Sequence, residues 1–158
     1  MNCVSKDIII DRSSVLFWVF LEWRKLIKTG RLKYIYKDFP LDMPAMLAAM
    51  VTNCYEGEQF HTTLNSLFRN RKKWVTASSN KEDLLSAFHQ ILKQHGISLK
   101  KIKTCAAENE DNKKKWDSIL ASRLEGQQLG VNSTPSFILN GEKLEGSVDL
   151  KVLLKHIY

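Results

Sequence analysis

Gly130-Val131-Asn132-Ser133-Thr134-Pro135-Ser136-Phe137-Ile138-Leu139-Asn140-Gly141 is the stretch on which the fold turns. Ser136 to Leu139 is short, apolar and bounded by turn residues, so it fits a strand. Asn140-Gly141 is the strongest short hairpin signal, because both positions tolerate a positive φ. Lys143 and Leu144 then begin the returning strand. Gly130 closes the helix that precedes the stretch. Gly146 and Ser147 lead into a last helix with Leu150, Leu153, Leu154 and Ile157 on one face.

Further toward the N-terminus the chain is helical. Asp111 to Leu129 reads as a long helix with Trp116, Ile119, Leu120 and Leu124 inward. Ser98 starts a short helix through Cys105. Asn80, with Asp83 three residues on, forms an N-cap with a reciprocal partner. Leu84, Leu85, Phe88, Ile91 and Leu92 make that helix's buried stripe, and Gly96 ends it. The sequence turns polar at Arg69 to Lys73 and at Ser78-Ser79-Asn80. Phe60, Leu64, Leu67 and Phe68 belong to another helix. Asp42 caps one more, with Pro44 in its first turn and Met43, Met46, Leu47, Met50, Val51 and Cys54 on one face.

Strand signals return near the N-terminus. Leu32 to Lys37 is aromatic and β-branched, and Phe39-Pro40-Leu41 breaks it. Val15 to Lys28 reads as an apolar helix closed by Gly30, and Asp7 to Asp11, around Ile8-Ile9-Ile10, as a short buried strand. The order is β-α-β, a block of helices, then β-β-α. It predicts an α/β fold: one mixed sheet covered by helices, with an inserted helical subdomain. Residues 1–42 and 128–158 would build the sheet domain and residues 43–127 the insert.

The 158 residues suit one domain with an insertion, and 44% apolar residues suffice for a core. The net charge of +7 favours acidic partners without singling out nucleic acid. The longest apolar run, Val15 to Leu21, falls far short of the ~20 residues of a bilayer-crossing helix. It also lacks a signal peptide's flanks: Asp7 and Asp11 precede it, and Glu22, Trp23 and Arg24 follow. Cys3, Cys54 and Cys105 give no C-x-x-C, and His61, His89, His95 and His156 show no metal-ligand spacing. No metal or cofactor is expected.

The Gly130–Gly141 stretch is similar to the G-V-x-G-T-P-T-F-x-x-N-G segment of DsbA-like thiol-disulfide oxidoreductases, with Ser133 where that pattern has glycine. Tyr34-Ile35-Tyr36-Lys37-Asp38-Phe39-Pro40-Leu41-Asp42 resembles the strand and turn after the first helix of that family. The resemblance spans roughly residues 28–158. It implies a thioredoxin-like fold and a cis peptide bond before Pro135, which costs only about 0.5–1 kcal/mol at proline. It also implies a substrate-binding role for Ser133, Thr134 and Pro135, where an extended polypeptide pairs with the exposed backbone. The alternative is a trans proline starting an edge strand. The family is usually periplasmic, whereas this sequence as written shows no export signal.

The family's chemistry needs a C-x-x-C at the N-terminus of the first helix, where the helix dipole and free N–H groups stabilise a thiolate. The stretch Ile8 to Leu16, I-I-I-D-R-S-S-V-L, holds no sulfur, and Cys3 lies upstream of it. Ser13 to Gly30 is also shorter than the family interval, and Phe17 to Leu21 lacks the alternation of a surface helix. The expectation is a redox-inactive relative with no catalytic residue, whose first residues are consistent with a truncated or frame-shifted gene.

Cys54 and Cys105 have two readings. A structural disulfide closing a loop of ~50 residues could contribute roughly 4 kcal/mol in the chain-entropy model. Two buried free thiols packed as small apolar groups are the other. Two further functions stand beside the first. Ser13 or Ser14 occupies the place where the kappa-class glutathione transferases, which share the DsbA-like architecture, polarise the glutathione thiol, although serines also cap helices. Arg69, Arg71, Lys72 and Lys73 beside Trp74, and Lys113 to Lys115 beside Trp116, could form a basic binding module, although each is more simply a solvated face next to a core tryptophan. Met43, Met46 and Met50 read as core packing or as an adaptable groove.

Overall fold

The computed structural model describes residues 7–10, 27–30, 33–76, 80–134 and 136–144. The first helix, Ser13, Ser14, Ser78, Ser79, Pro135 and the last helix, all named above, lie outside the described residues apart from Ile27 to Gly30 at the first helix's end. The chain divides into two compact units, Pro40–Ser122 and a second made of Met1–Phe39 with Arg123–Tyr158.

The second unit carries the sheet. Its strands are β1 (Asp7–Ile10), β2 (Lys33–Tyr36), β3 (Phe137–Leu139) and β4 (Glu142–Leu144), in the order β2-β1-β3-β4. β1 runs parallel to β2 and antiparallel to β3, and β3 is antiparallel to β4. Phe137, Ile138 and Leu139 are all buried, as expected of an interior strand covered on both faces. The returning strand begins at Glu142, one residue before its expected start. Asn140 and Gly141 stand at φ of 53° and 87°, the two left-handed positions that the hairpin turn requires.

The Pro40–Ser122 unit is helical: α1 (Met43–Thr52), α2 (Gly57–Arg69), α3 (Arg71–Val75), α4 (Lys81–Leu92), α5 (Leu99–Cys105) and the opening turns of α6 (Glu110–Gln128). Local chemistry fixes the helix starts. The Asp42 carboxylate accepts the Ala45 N–H at 2.8 Å, with proline in the first turn. Asn80 Oδ1 accepts the Asp83 N–H at 2.9 Å, and its own Nδ2 donates back to Asp83 Oδ2 at 2.8 Å. Ser98 Oγ accepts the Lys101 N–H. The 3-10 turn Lys93–His95 ends at Gly96 with φ 74°, a conformation that costs glycine little.

Leu84, Leu85, Phe88, Ile91 and Leu92 are all buried, at the centre of a cluster with Val51, Leu67, Trp74, Ile97 and Ile102. Met46 and Met50 pack with Ala49 and Ile119 in a second cluster, so these two methionines are core.

Two expectations fail here, and one short helix has no reading in the sequence. The polar, basic run after Arg69 forms that helix, because Trp74 anchors it. The indole Nε1 donates to the Leu67 carbonyl at 2.8 Å and the ring meets Phe88 edge-on. Met43 is 58% exposed and Leu124 59% exposed, not inward. Met43 opens α1, where there is no preceding turn to cover it. Leu124 follows Ile119 by five residues, which at 3.6 per turn carries it round to another face.

Candidate functional site

Register collects three segments at one end of the sheet. Ile10, the last residue of β1, pairs with Tyr36, the last of β2, and with Phe137, the first of β3. β1 and β2 therefore end, and β3 begins, at the same end of the sheet.

From β2 come Lys37, Asp38 and Phe39. The Tyr36 hydroxyl donates to Asp38 Oδ1 at 3.0 Å, and Lys37 Nζ pairs with Glu125 Oε2 at 2.8 Å. This ion pair is solvated on both sides and so contributes little to stability. Phe39 lies against the backbone of α6 at Gly126. A β-carbon there would come within 2.9 Å of the ring, so the missing side chain is what admits it.

The approach to β3 is set by the end of α6. Gly130, at φ 77°, donates its N–H to the Gln127 carbonyl at 3.0 Å, and the Val131 N–H reaches back to the Gly126 carbonyl at 2.9 Å. This is a Schellman cap, which stops the helix and turns the chain. Val131 is buried, Asn132 and Ser133 are exposed and Thr134 is half-buried. Ser136 Oγ donates to the Ser133 carbonyl at 2.6 Å, closing the loop over three residues. Ser133 thus faces solvent in this loop, with Thr134 half-buried beside it.

Chemistry at this end depends on what leaves β1. In the sequence that is Asp11-Arg12-Ser13-Ser14, which carries no thiol.

The other candidate pair sits in the helical unit. Cys54, just past α1, and Cys105, the last residue of α5, are bonded, with Cα atoms 5.9 Å apart. Cys105 is fully buried and Cys54 half-buried. The Lys115 ammonium of α6 lies 3.5 Å from Cys54 Sγ. Sequence reasoning counted Lys115 only as part of a basic run; a contact across 61 positions leaves no local signal. Neighbouring Tyr55 has its pKa raised by burial.

The same unit holds a cavity of about 780 Å³, whose lining includes Met43, Leu47, Met50, Leu84, Asn112 and Trp116. Asn112, buried and unremarked in the sequence, spends its amide hydrogens on the Thr104 and Ala107 carbonyls and so fixes the α5–α6 turn. Among the described residues no group of three His, Cys, Asp or Glu could hold a metal, and no helix is long and apolar enough to cross a membrane.

A β2-β1-β3-β4 sheet in which β3 alone runs against the other three strands, joined to a helical unit inserted between β2 and β3, defines a DsbA-like thioredoxin fold. The chain belongs to the thioredoxin family, whose family model, described as thioredoxin, matches residues 21–158. Among solved structures it is similar to alpha-DsbA1 of Wolbachia pipientis, at 24% identity and a TM-score of 0.72, over 97% of this chain and 84% of that one. A protein-disulfide isomerase from Novosphingobium aromaticivorans matches at 20% identity and a TM-score of 0.72, over 99% and 92% of the two chains. The thiol-disulfide exchange protein alpha-DsbA2 of Wolbachia pipientis matches at 25% identity and 0.57, over 99% and 82%. No curated protein matches the chain.

Proposed function

We propose that this chain is a redox-inactive relative of the DsbA-like thiol-disulfide oxidoreductases that keeps the polypeptide-binding loop at Ser133, Thr134 and Pro135. The observation that carries the reading is the register, in which Ile10 at the end of β1 pairs with Phe137 at the start of β3, together with the lack of cysteine in the sequence that follows β1. Thiolate exchange needs a nucleophilic sulfur there and a second one turn on to resolve the mixed disulfide. Without them the loop can hold an extended chain through backbone hydrogen bonds but can neither oxidise nor reduce it.

The reading is tested by adding an unfolded, cysteine-free peptide to isotope-labelled protein and following amide signals. Shifts centred on Ser133, Thr134 and Ser136 support retained binding. Saturating peptide that leaves those signals in place refutes it. The redox half is tested separately by dithiol oxidation, taken up below.

A further inference from the structure

We infer that Cys54 is a reactive thiol, held ready by Lys115, and that thiol–disulfide exchange at the Cys54–Cys105 pair runs through the Cys54 sulfur. This is a second sulfur site, independent of the sheet-end loop and of whether that loop binds polypeptide. Its co-reactant is a small-molecule disulfide or thiol.

Three observations converge. First, the two sulfurs differ in access: Cys105 is 0% exposed within the main core cluster, whereas Cys54 is half-buried at that cluster's edge. Solvent therefore reaches Cys54 and not Cys105, which favours attack at Cys54. Second, the Lys115 ammonium stands 3.5 Å from Cys54 Sγ. No carboxylate among the described residues pairs with Lys115, unlike Lys37, Lys81 and Lys103. In the disulfide it faces an uncharged sulfur; in the reduced protein it faces a thiolate, which a neighbouring cation stabilises. Third, among the described residues no hydrogen bond or ion pair brings a carboxylate to Cys54 or Lys115. From α5 comes Cys105 itself. Tyr55, next along the chain, stays neutral because burial raises its pKa.

The chemistry balances. The Cys54 thiolate attacks one sulfur of a small disulfide, forming a mixed disulfide and releasing one thiolate. Cys105 gives up its proton to that thiolate or to water, and its sulfur attacks Cys54 Sγ, releasing the second small thiol. Two protein thiols become a disulfide and one small disulfide becomes two thiols. Reduction retraces the path, so the incoming thiol again bonds to Cys54 and Cys105 leaves. The low thiolate cost at Cys54 speeds closure of the bridge. The apolar burial of Cys105 makes it a poor leaving group and slows reopening.

The test reduces the full chain, removes the reductant and adds limiting iodoacetamide under native conditions at neutral pH. Peptide mapping then compares Cys54 with Cys105, Cys3 being followed on its own peptide. Cys54 is expected to label about tenfold faster than Cys105 or more, with a half-point below the ordinary thiol value of about 8.5. Lys115→Met should move that half-point back toward the ordinary value, and Lys115→Arg should hold it low. Equal labelling of the two cysteines, or a Cys54 half-point that Lys115→Met leaves unchanged, overturns the inference. A second measurement does not need a folded reduced protein. A small thiol is added to the oxidised chain and quenched with acid, and the mixed disulfide is mapped. It should sit on Cys54, and finding it on Cys105 overturns the same claim.

Discussion

The helical unit and the sheet unit are held together by different means. In the helical unit several elements announce themselves: side-chain caps start α1, α4 and α5, an apolar stripe runs along α4, and a left-handed glycine follows the 3-10 turn after it. Its core around Phe88 joins neighbouring helices, and a covalent bridge spans α1 and α5. The sheet unit rests on strands of three or four residues drawn from both ends of the chain, with Ile8 to Ile10 paired to Phe137 to Leu139. Its stability is therefore non-local, and the loop carrying Ser133 and Thr134 sits where the regular pairing stops. The lesson is a contrast in means: the helical unit rests on local signals and a covalent brace, the sheet unit on pairings between distant stretches of the chain.

That contrast can be broken or sharpened by substitution. The largest effect should come from Phe88→Ala, which empties the centre of the helical core and costs about 3–5 kcal/mol. Urea unfolding followed by far-UV circular dichroism checks it, and a loss under about 1 kcal/mol would mean that the helical unit is not organised around this ring. Next, Cys54→Ser with Cys105→Ser should cost about 2–4 kcal/mol. Reductant should lower the melting temperature of the unsubstituted chain by a matching amount and leave the double variant unmoved.

A hairpin change probes the other unit. Gly141→Val places a β-branched residue at φ 87° and should cost about 1–2 kcal/mol or more, shifting the amide signals of β3 and β4 while those of α4 stay in place. Asn80→Ala should remove about 1 kcal/mol, read as faster amide exchange in the first turn of α4. The smallest effect is expected at Tyr55, whose buried hydroxyl has no partner. Tyr55→Phe should be neutral or stabilising by about 1 kcal/mol. Its pH signature has a definite sign. Burial raises the folded pKa above the ordinary tyrosine value of 10.0, so the unfolded chain loses this proton first. Stability should fall as pH rises past 10, and Tyr55→Phe should remove that part of the fall.

How much of this was legible follows the same division. Helix starts at Asp42, Asn80 and Ser98, the stop at Gly130 and the Asn140-Gly141 turn were readable because a cap or a turn is a property of a few consecutive residues. The short helix Arg71–Val75 was missed because the basic residues hide its one anchor. Trp74 is pinned from seven residues back, by the Leu67 carbonyl. Met43 and Leu124 were misplaced because helical spacing marks a face without saying where a neighbour ends. At the sheet end, the motif before β3 was legible and the missing cysteines were plain, but the register that pairs Ile10 with Phe137 needed the structure. Lys115 against Cys54 had no sequence signal at all.

The most direct test of the central claim is dithiol oxidation measured on the Cys54→Ser variant, which leaves any sulfur chemistry at the sheet end intact and silences the helical pair. The account predicts a rate no greater than that of buffer with the small-molecule oxidant alone. Turnover approaching that of an intact DsbA-like oxidoreductase would contradict it.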